Sequence, residues 1–73
     1  MARTWEREKW YRAKRAAQAV AEMEVAIETY DVPRFLAAWD VAMMYMNVTE
    51  RRPYYIRMLE RVCEIEKREA MAR

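Results

Sequence analysis

Glycine is absent from this chain of 73 residues, while alanine occurs twelve times. Glycine costs a helix interior about 1 kcal/mol relative to alanine, so this exchange favours long uninterrupted helices. β-Branched residues are sparse, and no stretch alternates at period two as a half-buried strand would. The two prolines, Pro33 and Pro53, fall near the only breaks in the helical pattern, at Tyr30–Pro33 and Asn47–Pro53. The expected architecture is all-α: a small three-helix bundle in one domain spanning residues 1–73, with helices at about 4–29, 32–46 and 52–70.

Helix 1 is expected to start at a Thr4 cap, with Glu6 in its first turn. Its apolar stripe reads Ala13, Ala16, Val20, Met23, Ile27 and Tyr30, the alternating three- and four-residue steps of an inter-helix seam. Asp31 caps helix 2, Pro33 occupies its first turn, and Tyr30 and Phe35 are spaced for a hydrophobic staple. The helix 2 stripe reads Val32, Leu36, Trp39, Met43 and Met46. Helix 3 takes Thr49 as cap, with Tyr55, Met58, Leu59, Val62 and Ile65 apolar and Cys63 at their edge as a buried small hydrophobe. Glu66 and Glu69 then land on that apolar side, so packing should fade past Ile65 and the last turn should fray. Because the helix 1 seam begins only at Ala13, residues 4–12 should project about 13 Å as a helical arm.

Function is narrowed first by what is missing. The chain has no His and no Ser, and a single Cys. These absences, with that of Gly, exclude a phosphate-cradling glycine loop, Ser-His and Cys-His dyads, a histidine-containing zinc site and an internal disulfide framework. A carboxylate site at Glu24, Glu28 and Asp31 is conceivable but not expected, since a divalent cation needs convergent oxygen ligands. No catalytic residue, metal or cofactor is expected. No 18-residue apolar window and no secretory signal is visible, and the lone Cys63 fits a reducing cytoplasm. The Asn47-Val48-Thr49 glycosylation pattern is read as accidental.

Charge is unevenly spread behind a formal net of +2. Residues 1–18 hold six basic side chains against two acidic, residues 19–50 one against six, and residues 51–73 seven against four. The chain is thus basic at both ends and acidic in the middle. A dedicated nucleic-acid binder usually carries a larger excess, and Glu22, Glu24 and Glu28 would repel an anionic membrane from helix 1.

Binding candidates concentrate on the arm. Arg7, Trp10, Tyr11 and Lys14 lie at i, i+3, i+4 and i+7 on one outward ridge, with Arg3 a turn earlier and Trp5 in phase with the seam. Against the stripe above, Tyr11 points opposite the core and Trp10 to one side. Aromatic and Arg side chains together have the composition of interface anchors. The plainer alternative lays Trp10 over Ala13 and Ala17 as a local lid. A secondary surface is the far side of helix 2, with Ala37, Ala38, Val41, Met44 and Tyr45, either core or a contact with a partner or a second copy. Arg51 and Arg52, read as standing in a loop beside Tyr54, would suit a phosphate or carboxylate-rich partner.

In length, helical make-up and its Met1-Ala2-Arg3-Thr4-Trp5 opening, the chain resembles the small phage-encoded regulators that bind bacterial RNA polymerase. That resemblance implies a non-enzymatic protein acting in the host cytoplasm. It would bind a polymerase subunit, inhibit initiation, and in some members cause antitermination. Two other readings stand beside it: a nucleic-acid binder using the basic ends, and a homodimer built through helix 2.

Overall fold

The computed structural model describes residues 2–72, with side chains from Trp5 onward. Among them there are three helices and no strand: α1 (Ala2–Thr29), α2 (Val32–Tyr45) and α3 (Val48–Ala72). The helix α1 is already formed at Ala2, so Thr4 lies within it and does not cap it. The Arg3 side chain lies outside the described residues.

The turn between α1 and α2 is made without glycine. Tyr30 takes left-handed backbone at φ 54°, a conformation that costs a side-chain-bearing residue roughly 1–2 kcal/mol. It is held by a paired hydrogen-bond closure. The Asp31 N–H donates to the Ala26 carbonyl at 2.9 Å and the Tyr30 N–H to the Ile27 carbonyl at 3.4 Å, the pattern of a Schellman helix end. Asp31 then begins α2, its carboxylate accepting from the Arg34 N–H at 3.1 Å. Asp31→Ala should lower stability by about 1 kcal/mol, readable in chemical denaturation.

The second turn differs from expectation in an informative way. Asn47, not Thr49, caps α3. Its side-chain oxygen accepts from the Glu50 N–H at 2.9 Å, and the Glu50 carboxylate returns to the Asn47 N–H at 3.5 Å. This reciprocal pair is a capping box with Asn at the cap. It starts the helix at Val48 and carries it past Pro53, whose missing N–H leaves only the Thr49 carbonyl without its helical partner. Arg51 and Arg52 are therefore helical residues, not loop residues. The far end also continues: α3 is helical to Ala72, although its residues from Glu66 to Ala72 are exposed.

The core is Ala19, Met23, Ala26, Ile27, Phe35, Ala38, Ala42 and Met58. The main contact pairs α1 with α2 as an antiparallel hairpin, and α3 touches both more lightly. Several stripe positions are corrected here. On α1, Ala13 is exposed while Ala19 and Ala26 are buried, and Tyr30, just past its end, is exposed. On α2, Leu36 and Met43 are exposed while Phe35, Ala38 and Ala42 are buried. On α3, Tyr55 and Leu59 are exposed and Tyr54 takes a half-buried place, and Cys63 is an exposed free thiol. One cause accounts for the first two shifts. Methyl side chains let two helix backbones approach at the short end of the 8–10 Å range, so the alanine faces meet and the bulkier residues turn to the flanks.

Among the described residues one ion pair ties α1 to α2, with Arg34 Nε 2.7 Å from Glu22 Oε2. The hydrogen bond from Arg34, reinforced by its charge, holds the Glu22 carboxyl below its ordinary value of 4.5. Such a carboxylate stabilises the fold above the unfolded-state value, and that contribution fades as pH falls through the lowered one. Glu22→Gln should lower the melting temperature slightly near neutral pH and match the wild type in acid well under 4.5.

Candidate functional site: the overhanging end of α1

The body spans 63 Å along its long axis, whereas α1 alone would cover about 42 Å. Both ends therefore overhang: α1 past the end of α2, and α3 past the α1–α2 turn. Tyr11 and Arg12 of α1 reach the end of α2. The Tyr11 ring meets Tyr45 edge-on at 6.2 Å between centroids, and Arg12 Nη2 donates to the Met44 carbonyl at 3.4 Å. Upstream of this contact, Ala2–Trp10 form an overhang of about 13 Å.

The overhang is anchored at its root by Tyr45. The guanidinium groups of Arg12 and Arg15 lie over that ring at 5.6 and 5.8 Å. From the other side, Arg51 donates to the Met46 carbonyl at 2.9 Å and lies over Trp39 at 5.6 Å. The last turn of α2 contains no basic residue. Arginines from α1 and α3 supply cations where the carbonyls of α2 would otherwise lack partners. Three residues of the secondary surface are thereby accounted for within the fold: Val41 packs half-buried against the core, Tyr45 seats the arm, and Arg51 closes α2. Met44 and Arg52 remain exposed.

Beyond the root, the aromatic residues face water. Trp5 is 64 % exposed, Trp10 66 % and Tyr11 51 %. The observed core turns the ridge relative to the sequence reading. Trp10 lies nine residues before Ala19 and so points about 180° from the core, while Tyr11 points to one side, toward Tyr45. Ala13 and Ala17 beside Trp10 are themselves exposed, so the indole is no lid over a core. Each indole carries an ammonium: Lys9 Nζ is 5.2 Å from the Trp5 ring and Lys14 Nζ is 5.2 Å from Trp10. Arg7 is exposed, and Arg7, Lys9 and Lys14 make no ion pair among the described residues. Trp5 keeps the phase of the seam, and with Glu8, Lys9 and Arg12 it bounds a shallow recess of about 290 Å³ where α2 no longer runs.

The arrangement is suited to docking. Two rigid indoles, each paired with a cation, stand on a helix already ordered, so little side-chain or backbone freedom remains to be lost on binding. The anchoring roles of Arg12 and Arg15 were missed in the sequence because neither is near Tyr45 in the chain. No group of three or more His, Cys, Asp or Glu side chains is placed to hold a metal among the described residues, and no helix among them is long and apolar enough to cross a membrane. Comparison with known protein families, characterised proteins and solved structures finds no match.

Proposed function

We propose that this protein is a non-enzymatic regulator that binds another protein through the overhanging end of α1. The partner class is the one its resemblance to phage regulators implies, a subunit of bacterial RNA polymerase in the host cytoplasm, with inhibition of initiation as the outcome. The observation that supports this reading most is Trp10: an indole directed away from the core, two-thirds exposed, with Lys14 stacked on it. Buried aromatic and basic anchors dominate binding energy at protein interfaces. The surplus of positive charge on residues 1–18 favours an acidic surface on the partner.

The test is binding of the wild type and a Trp5→Ala/Trp10→Ala variant to immobilised bacterial RNA polymerase. Both rings lie outside the core, so the variant should keep its helicity. It should lose affinity by about 100-fold, the scale of two anchor residues. Unchanged binding by the variant would remove the arm as the interface, and no binding by the wild type would remove the partner. Cation-backed indoles also suit stacking on unpaired bases, so a nucleic-acid reading uses the same ridge. It requires affinity for single-stranded DNA or RNA that falls steeply with salt, and the acidic middle segment counts against it.

A further inference from the structure

A second surface, separate from the arm, lies across α2 and α3. On α2, Leu36 and Met43 are 53 % and 54 % exposed, two turns apart on one side. On α3, Tyr55 and Leu59 are exposed at i and i+4, with Val48 in line before them. Trp39 bridges the two rows, its ring 5.1 Å from that of Tyr55. A cleft of about 350 Å³ opens at this bridge. The cleft is lined by Trp39, Val48 and Tyr55 together with Arg51 and Arg52, and helical phase places exposed Asp40 just beyond Leu36 on α2 and exposed Arg52 just beyond Leu59 on α3, each on the side away from the seam.

We propose that this face is covered by a second copy of the same chain, related by a two-fold axis along the α2–α3 seam. The first argument is the core. Among the described residues, half of the eight buried ones are alanines, little apolar volume for a domain of this length, and small domains commonly make up the shortfall by oligomerising. The second is area. The chain exposes 5981 Å², about 1,200 Å² more than the scaling for a compact monomer of its mass gives. The overhanging ends and the open α2–α3 face are the visible sources of the excess. A stable interface needs about 800 Å² from each partner.

The third argument is charge. A two-fold axis along the seam lays α2 of each copy on α3 of the other, with helix directions and heights preserved. Asp40 lies beside Trp39, and Arg52 is one turn before Tyr55, the residue that Trp39 touches. The axis therefore brings Asp40 of one copy opposite Arg52 of the other, twice. An isologous interface requires this kind of self-complementarity. A partner with one charge along both edges would repel one of them.

The test is sedimentation of the full chain at micromolar concentration, in reducing buffer so that Cys63 links nothing. The wild type should sediment at twice its 8.9 kDa mass, with a melting temperature that rises with protein concentration. Leu36→Glu/Leu59→Glu should sediment as a monomer. A wild type that is monomeric at about 100 µM, well above the dissociation constants of stable dimers, would overturn the proposal, and so would a dimeric double variant. Because the double variant could fail to fold alone, charge variants give an independent readout. Asp40→Arg should weaken the dimer by about tenfold or more, and adding Arg52→Asp should restore it. An unchanged dimer in Asp40→Arg, or no restoration in the double exchange, would overturn the two-fold arrangement. None of these substitutions touches Trp5 or Trp10, so partner binding through the arm is scored separately.

Discussion

Phe35→Ala is expected to abolish the folded state at 37 °C. Phe35 is the largest fully enclosed side chain, 2 % exposed, and its ring is stacked on Trp39 at 6.0 Å. It stands where all three helices meet, in one cluster with Met23 and Ile27 from α1 and Met58 from α3. Removing a buried phenyl costs about 3–5 kcal/mol through lost transfer energy and the cavity left behind. A core in a domain of this size supplies about the same amount in total. The neighbouring buried residues on α2 are Ala38 and Ala42, whose methyls cannot lean into the space. Helical circular dichroism at 37 °C should fall to the level of unpacked helices. Trp10→Ala, by contrast, should change stability by no more than about 0.5 kcal/mol, the range for exposed positions away from special features. A folded Phe35→Ala protein would mean that the centre of the core lies elsewhere.

The contrast between Phe35 and Leu36 shows where the sequence could be read and where it could not. Helix number and the first break, expected at Tyr30–Pro33 and found at Tyr30–Asp31, follow from residue types alone: alanine without glycine, an Asp cap and Pro33 in a first turn; the second break, expected at Asn47–Pro53, is confined to Met46–Asn47, with Pro53 inside α3. The rotation of each helix does not. Helix α2 presents two apolar sets with the same spacing, Phe35-Ala38-Ala42 and Leu36-Trp39-Met43. Hydrophobicity ranks the second higher, but close approach of backbones selects the first, because Ala38 and Ala42 can meet Ala19 and Ala26 across the hairpin. The same preference turned α1, exposed Ala13, and exchanged the directions of Trp10 and Tyr11. Trp10 was legible as an exposed anchor because it leaves the core under either rotation. The α2–α3 face was not, because its residues were assigned to the core. Pro53 hides Asn47 as a cap, because a proline suggests a first turn, although the Asn47 and Glu50 spacing of a capping box is present in the sequence.

Met58→Ala should release α3 before the α1–α2 hairpin opens. Met58 is the one buried residue of α3, at 4 % exposed. Tyr54 and Val62 only flank the cluster, and the contacts of α3 with the other helices are slight beside those of α1 with α2. Truncating a buried methionine costs about 2–5 kcal/mol, and here the loss falls on the element least able to absorb it. Amide hydrogen exchange resolves such partial openings. Protection in the Tyr54–Ile65 stretch should drop by at least about 30-fold, the equivalent of the lower bound of that cost, while Ala19–Ile27 amides keep most of theirs. A uniform loss would instead mark all three helices as one cooperative unit. Because Tyr55 and Leu59 belong to α3 and the root of the arm is held by Tyr45 on α2, the variant also separates the two proposed surfaces. Self-association should fail with α3 detached, and partner binding through Trp10 should survive.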